Sequence, residues 1–340
     1  MDKHQILIDT DPGVDDAMAL LFLRALPTVR IAAITTVFGN ADIGTTTHNA
    51  CYLAERFAIE APVIAGAAQP LYVDRSAAPV HVHGRNGLGD ADLRLEGRRA
   101  IDPGPAHERI VELIRARPHE LTILAIGPLT NLALALRLDP GIASLVSQVV
   151  VMGGAFGWNG RRGNVSPVAE ANMRHDPHAA DEVLAASWPV TMVGLDVTSR
   201  CVFTTEEACR LAAQGGEAGQ FLWDISRGYE AMYRTHDGVE GFCLHDVAAA
   251  AYVIAPEIFA TSRGPIRVVT EGIAIGQTIQ PAPGHSFPAG AWDHVPAQRA
   301  CKDVDAPRLL GLYADTLISH AHSASLDRRP SPASQSGALP

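Results

Sequence analysis

The sequence predicts an α/β fold, built as a doubly wound, mostly parallel open sheet with helices on both faces. Three observations support this prediction. Short runs of apolar and β-branched residues recur along the chain, and each run is continuous rather than alternating with polar residues. Continuous runs are typical of parallel strands that are buried on both faces. Segments with helical periodicity separate the runs, as in doubly wound sheets.

Taken in order, each apolar run has the length of a strand, and each intervening segment is long enough for a helix. The predicted strands are residues 6–8, 31–38, 62–66, 121–127, 149–154, 190–195 and 266–270. The predicted helices are residues 14–25, 43–57, 105–117, 128–137, 176–187, 219–235 and 245–254. Ligands of such sheets bind beyond the carboxyl ends of the strands. Two long connections, 68–104 and 153–175, are rich in Gly, Asn and His and are candidate walls of a site.

The composition excludes several classes of protein. The chain has 340 residues, of which 47% are hydrophobic and 19% charged, as in a globular protein with a large core. Its formal net charge of −10 argues against an extended surface for nucleic acid or anionic membranes. The N-terminal apolar run is too short for a signal peptide, and no stretch approaches the ~18 apolar residues of a membrane span. With five widely spaced cysteines, which predict reduced thiols, we expect a cytoplasmic protein.

A stretch near the N-terminus carries four aspartates between two apolar runs, and they are Asp9, Asp11, Asp15 and Asp16. The first two point to one side of a strand, and Pro12-Gly13 turns the chain so that the last two lie in the first turn of a helix. One or two acidic residues there complement the helix dipole. Four carboxylates this close repel one another, so we expect a cation among them. Oxygen ligands without Cys or clustered His favour Ca²⁺ or Mg²⁺ over zinc.

Two other kinds of site also use closely spaced aspartates, and the sequence fits both less well. An EF-hand loop counted from Asp9 requires Gly at its sixth position and Glu at its twelfth, where this chain has Val14 and Leu20, and is excluded. A haloacid-dehalogenase-like phosphohydrolase also begins with an aspartate pair after its first strand, and it generally adds a downstream lysine to hold the phosphoryl group. Because Lys3 and Lys302 are the only lysines of the chain, this alternative is the weaker one.

Several motifs carry a resemblance to a known family. They occur in family order and are DTDPGVDD near the N-terminus, TTVFGN at 35–40, HGRNGLGD at 83–90, AIGPLTNLA at 125–133, VVMGG at 150–154, NVSPVAEANMRHDPHAA at 164–180 and LHD at 244–246. In these motifs the chain resembles the inosine-uridine preferring nucleoside hydrolases over about residues 5–315. The resemblance implies the nucleoside hydrolase fold, with a Rossmann-like core. We predict a single domain over residues 1–320, followed by a Pro/Ser-rich disordered tail at 321–340.

The resemblance implies hydrolysis of the N-glycosidic bond of a ribonucleoside to ribose and free base, with one bound Ca²⁺. Such an activity serves purine or pyrimidine salvage. The family also leads us to expect a homo-oligomer, either a dimer or a tetramer. A non-catalytic nucleoside-binding protein is the alternative from another class, because it would keep the ribose contacts and release no sugar.

The residues of the site follow from the same resemblance. The metal ligands it implies are the side chains of Asp11, Asp16 and Asp246 and the carbonyl oxygen of Ile126. Asp11 would also take a proton from the attacking water. The substrate contacts it implies are Asp15, Asn40, Met152, Asn164, Glu170 and Asn172, most of them on the ribose hydroxyls. Tyr229 and Tyr233, four residues apart on a helix, are either a packing pair or part of the base pocket.

Departure of the base requires a proton donor, and histidine is the natural one near neutral pH. His245, beside Asp246, is the first candidate, His83 the second and His81 the third. Ala171 stands where many relatives carry an aromatic residue, and Val247 follows the His-Asp pair where many carry proline. Both departures leave the choice of base open, while the sugar chemistry is unaffected.

Overall fold

The computed structural model describes residues 3–93, 100–282, 284, 285, 287, 288 and 290–327. Within this part of the chain the strands follow the order of the sequence. They are β1 (His4–Thr10), β2 (Val29–Thr36), β3 (Val63–Ala65), β4 (Leu121–Ala125), β5 (Gln148–Met152), β6 (Val190–Val193), β7 (Val202–Phe203), β8 (Phe242–Cys243), β9 (Phe259–Pro265), β10 (Arg267–Val268), β11 (Thr278–Ile279) and β12 (Ala297–Val304).

The helices alternate with the strands over most of the chain. They are α1 (Val14–Ala25), α2 (Ile43–Arg56), α3 (Val80–His83), α4 (Ala106–Ala116), α5 (Thr130–Leu138), α6 (Ala171–His175), α7 (Pro177–Ala185), α8 (Leu195–Thr198), α9 (Thr205–Gln214), α10 (Gly216–His236), α11 (His245–Ile254) and α12 (Ala306–Asp327), with 3₁₀ helices at Pro140–Ser144 and Pro256–Ile258. None of the helices in the described residues is long and apolar enough to span a membrane.

The main sheet has eight strands in the order β3-β2-β1-β4-β5-β6-β12-β9. Every neighbouring pair is parallel except β12 with β9, which is antiparallel. The predicted doubly wound, mostly parallel sheet is therefore confirmed. The chain runs from β1 to β2 on one side and later enters β4 on the other side of β1. The carboxyl end of β1 is thus a topological switch point, where such sheets form their ligand crevice.

A separate apolar core covers each face of the sheet. Successive residues of β1 point to opposite faces, so that Ile6 and Ile8 belong to one core and Leu7 to the other. The first core lies under α1, α10, α11 and α12, and the second under α4, α5 and α7. Burial on both faces explains why the central strands are continuous apolar runs.

Two predicted features differ from the structure. The run at 266–270 is wrong as a member of the main sheet, because residues 267–268 pair with β11 in a separate two-stranded sheet. Its apolar side chains instead join the core beneath α7, where the Val268 N–H donates to Asp181. The helix α12 continues through residues 321–327, which belonged to the predicted tail, and residues 328–340 lie outside the described part of the chain.

Candidate active site

Three carboxylates converge beyond the carboxyl end of β1. Within the described residues, one oxygen from each of Asp15, Asp16 and Asp246 lies within 4.8 Å of the other two, and all three residues are buried. Asp15 and Asp16 lie in the first turn of α1, and Asp246 lies in the first turn of α11. The two helices pack side by side in the same core. Packing of α1 on α11 therefore brings together acidic residues that are distant in sequence.

Asp11 lies in the turn between β1 and α1 and is fully buried. Its Oδ2 accepts a hydrogen bond of 2.7 Å from the backbone N–H of Asn40, whereas its Oδ1 is buried without a hydrogen-bond partner in the described structure. A Cβ atom on Gly127 would lie only 2.6 Å from this Oδ1, so the backbone after Ile126 closely approaches Asp11. An unpartnered buried carboxylate oxygen is costly and marks a position where a cation or water fits.

Asp16 is held by three donors. The Thr10 hydroxyl donates to its Oδ1 at 2.5 Å, and the Gly13 N–H and the Asn40 amide donate to its Oδ2 at 2.8 Å and 3.0 Å. A Cβ atom on Gly13 would lie 2.7 Å from both the Asn40 amide nitrogen and Nδ1 of His83. Glycine at this turn thus allows two site side chains to approach the start of α1.

The electrostatics of the carboxylates favour a cation. Burial and then the Asp16 charge raise the pKa of Asp15 to about 8. Burial also raises the pKa of Asp11 and Asp246 well above the ordinary value, and repulsion from the other aspartates adds to it. The chain places no lysine or arginine among these groups in the contacts described, so a divalent cation fits the oxygen donors.

The side of the site toward β5 contains the residues expected to hold ribose. Glu170 caps α6, and its carboxylate accepts from the N–H groups of Asn172 and Gly154 at 2.9 Å and 3.0 Å. The Asn172 amide donates to the carbonyl oxygens of Ile126 at 3.0 Å and Met152 at 3.2 Å. The structure thus brings together four of the predicted residues.

Asn164 is the outer member of the predicted ribose contacts. Its side chain is exposed, and its Oδ1 accepts from the Ala171 N–H at 3.0 Å. This contact lies within the long 153–175 connection and joins residue 164 to the start of α6. For Asn131 the sequence predicted a structural role rather than a ligand contact. Its amide nitrogen donates to Asp9 of β1 at 2.8 Å and to the Thr36 carbonyl oxygen of β2 at 2.9 Å, and so links the two strands.

His83 lies against the start of α1 and against α10. It is 6% exposed, its ring stacks on Tyr229 with 5.7 Å between centroids, and its Nδ1 accepts from the Val14 N–H at 3.3 Å. Burial lowers the pKa of His83 to about 3, so the ring is neutral and its 4.0 Å approach to Asp15 is not an ion pair. His81, by contrast, is exposed to solvent.

His245 begins a chain of polar side chains that leads to the carboxylates. Its Nε2 lies 2.6 Å from the Tyr233 hydroxyl oxygen, and this hydroxyl lies 3.5 Å from that of Tyr229. The Tyr229 hydroxyl in turn hydrogen-bonds to Asp15. Burial lowers the pKa of His245 to about 4. The two tyrosines, which could have been a packing pair, therefore connect the candidate acid to the aspartates.

Thr198 is a site residue that sequence reasoning missed. Its hydroxyl oxygen lies 2.7 Å from Nδ1 of His245, and its side chain is fully buried. Its position in the sequence could have identified it. Thr198 closely follows the predicted strand at 190–195, and ligands of such sheets bind beyond the carboxyl ends of the strands.

Comparison with known proteins gives a consistent result. Residues 6–311 match the sequence pattern of the family described as inosine-uridine preferring nucleoside hydrolase. The chain is 37% identical over 319 residues to the probable uridine nucleosidase 1 of Oryza sativa subsp. japonica, covering 93% of this chain and 97% of that one. It is 34% identical over 316 residues to the inosine-uridine preferring nucleoside hydrolase of Crithidia fasciculata, with 92% and 97% covered. Among solved structures, a plant nucleoside hydrolase, the PpNRh1 enzyme, superposes with a TM-score of 0.89 at 32% identity, covering 93% of this chain and 99% of the other.

Proposed function

The chain belongs to the inosine-uridine preferring nucleoside hydrolase family, and from this premise we propose that it cleaves ribonucleosides to ribose and free base at a Ca²⁺ site formed by its buried aspartates. The observation that carries the proposal is the convergence of Asp15, Asp16 and Asp246 near Asp11, whose Oδ1 has no partner in the described part of the chain. Membership of this family also excludes the alternative function of a haloacid-dehalogenase-like phosphohydrolase.

The donor set fits a hard divalent cation. Asp11, Asp16 and Asp246 would hold Ca²⁺ through carboxylate oxygens, and Ile126 through its carbonyl oxygen, which has a second lone pair besides the one that Asn172 uses. When bound, the ion would balance the carboxylate charges, lower the pKa of a water molecule and orient it. Asp15 lies in the same cluster and would divide its two oxygens between the cation and the ribose.

Asp11 is assigned as the base that accepts a proton from the attacking water. Glycosidic cleavage passes through an oxocarbenium-like state, which requires a nucleophile on one face of the sugar and a stabilised leaving group on the other. Asp11 is suited to the first task because one of its oxygens is fixed by the Asn40 N–H and the other has no hydrogen-bond partner among the described residues. Its second oxygen is therefore available to the water.

The ribose hydroxyls are assigned to a ring of polar groups around the carboxylates. Asp15 and Asn40 would contribute at the start of α1, and Glu170 and Asn172 at the start of α6. Asn164, which accepts from the Ala171 N–H, and Met152, which accepts from the Asn172 amide, would complete the set. Several fixed hydrogen bonds of this kind hold a sugar in a reactive conformation, because the entropy of orienting it is lost on binding rather than in the chemical step.

Departure of the base is assigned to His245 and the two tyrosines. The Nε2–H of neutral His245 would donate a hydrogen bond to the Tyr233 hydroxyl oxygen, and this hydroxyl would donate to the base, so that the charge that develops on the base is stabilised as its bond to ribose breaks. His83, stacked on Tyr229, would also contact the base. Because burial keeps both imidazoles neutral, neither repels the positive charge that develops on the sugar.

Three finer assignments complete the proposal. Both curated relatives carry uridine in their names, so uridine is the first substrate to test. A cytoplasmic location is supported by the free thiols of Cys201, Cys209 and Cys243, and salvage of bases is the corresponding role. A dimer or tetramer would cover exposed apolar side chains such as Trp158 and Val165, which are 43% and 53% exposed.

Removal and replacement of the metal test the proposed Ca²⁺ site. The enzyme is dialysed against a calcium chelator, and release of reducing sugar from uridine is then followed while Ca²⁺, Mg²⁺ or Zn²⁺ is added back. We expect activity to be lost in the chelator and restored best by Ca²⁺. Full activity after exhaustive chelation, with no metal found by elemental analysis, would contradict the proposal.

A further inference from the structure

Each ring nitrogen of His245 faces a hydroxyl group. Nε2 lies 2.6 Å from the Tyr233 oxygen, and Nδ1 lies 2.7 Å from Oγ1 of Thr198. His245 is 7% exposed and Thr198 is fully buried, so water cannot easily replace either partner. The ring is therefore fixed between two protein groups, only one of which belongs to the path toward the aspartates.

The backbone holds Thr198 and His245 in register. Thr198 ends the short helix α8, where its N–H donates to the Gly194 carbonyl oxygen at 3.1 Å. The following residues form β7, which pairs with β8 just before His245, and the Leu244 N–H donates to the Cys201 carbonyl oxygen at 2.9 Å. The separation between the hydroxyl and the imidazole is thus set by main-chain hydrogen bonds.

Building on the proposed role of His245, we propose that Thr198 is a positioning residue for departure of the base. Its hydroxyl holds Nδ1 so that Nε2 faces Tyr233. A neutral imidazole has one donor and one acceptor nitrogen, and a hydroxyl can serve either. When the Thr198 hydroxyl donates to Nδ1, the ring proton is on Nε2, the nitrogen from which the Tyr233 path begins. Without the hydroxyl, a buried nitrogen loses its partner and the ring orientation is no longer determined.

The test compares Thr198→Val, which keeps the shape and removes the hydroxyl, with Thr198→Ser, which keeps the hydroxyl. Each is assayed on uridine and on 4-nitrophenyl β-D-ribofuranoside, whose phenolate leaves without a proton. We expect Thr198→Val to lose about 10-fold or more on uridine and to be nearly unchanged on the phenyl riboside, because one buried hydrogen bond is removed. Thr198→Ser should retain both activities.

The ratio of the two activities does not depend on how much of the enzyme is folded, so a partly unfolded variant still gives an answer. Thr198→Ala provides the same ratio if the valine variant cannot be produced. Equal losses on both substrates, no loss on uridine, or a serine variant as impaired as the valine variant would each overturn the proposal.

His245→Ala, assayed in parallel, separates failure of this inference from failure of the proposed function. If His245→Ala is selective for uridine and Thr198→Val is not, Thr198 has no positioning role and the assignment of His245 stands. If His245→Ala loses both substrates equally, the assignment of His245 is wrong and the role of Thr198 is overturned with it.

Discussion

Nε2 of His245 lies 2.6 Å from the hydroxyl oxygen of Tyr233. From this contact the polar chain continues through Tyr229 to Asp15. The candidate acid for the base and the carboxylates therefore belong to one connected network, and in the proposed function its two ends would serve opposite faces of the scissile bond. Variants at the two ends should consequently fail in different ways.

His245→Ala should impair hydrolysis of uridine and inosine and largely spare a riboside with a phenolate leaving group. Loss of a general acid typically costs about 10²- to 10⁴-fold, and only where the leaving group needs a proton. The measurement is kcat/KM on both kinds of substrate. His81→Ala is the matched control, because His81 is exposed and should leave both activities intact. Equal losses with His245→Ala would make His83 the leading candidate for the acid.

Asp11→Asn should lose activity on every substrate, including the phenyl riboside. The substitution removes both the carboxylate that accepts the proton from water and the charge of a proposed Ca²⁺ ligand. Activation of water should therefore fail whatever the leaving group, and we expect a loss of about 10²-fold or more. Asp315→Asn, on the exposed face of α12, is a control that should retain full activity. A selective loss on uridine alone would show that Asp11 acts on the base and not on the water.

Ribonucleosides should be hydrolysed far faster than their 2′-deoxy counterparts. Asp15 and the cation would lose a hydroxyl partner, and a site built to bind a hydroxyl rejects an analogue without it, by up to about 10⁴-fold in well-studied cases. The comparison is kcat/KM for uridine and 2′-deoxyuridine. Similar values for the two would contradict the ribose assignment of Asp15.

Calcium should stabilise the protein more at high pH than at low pH. In the metal-free protein the pKa of Asp15 is raised to about 8, above the value of about 3.9 in an unfolded chain. The folded state therefore binds more protons between these values, and its stability falls as the pH rises toward about 8. A bound cation replaces those protons. The rise in Tm on adding Ca²⁺ should accordingly be larger near pH 8.5 than near pH 6.

The buried histidines change the stability of the fold with pH in the opposite direction, and they do so over a lower pH range. The pKa values of His83 and His245 are lowered to about 3 and about 4, so the unfolded chain, with a histidine pKa of about 6.5, binds protons first as the pH falls. Their contribution to stability is complete above about pH 7 and is lost below it. Thermal unfolding with and without Ca²⁺ at several pH values separates the two effects. A Ca²⁺ effect that is constant or declines with pH would contradict the carboxylate account.

The central fold could be predicted from the sequence because its strands are buried on both faces. The runs that became β1, β2, β4, β5 and β6 contain almost nothing but apolar residues. The strands β9 and β12 escaped prediction because they lie at one side of the sheet, where buried and exposed residues mix and charged residues such as Arg263 and Asp303 interrupt the pattern. Burial on one face leaves no continuous apolar run.

The acidic half of the site was visible in the sequence because three of its members fall within six residues. The half that would face the base was not, because Thr198 and His245 are 47 positions apart and meet only through packing of α8 against the start of α11. The choice among the three histidines likewise depends on burial: His83 and His245 are buried, whereas His81, two residues from His83, is exposed. Sequence spacing alone cannot distinguish neighbours of this kind.

Release of reducing sugar from uridine, inosine, cytidine and adenosine in the presence of Ca²⁺ tests the central claim most directly. We predict that free ribose and free base form in equal amounts, from uridine among the substrates, and that Asp11→Asn abolishes the release while the protein remains folded. Binding of these nucleosides without any release of sugar would contradict the account and identify the protein as a nucleoside-binding module.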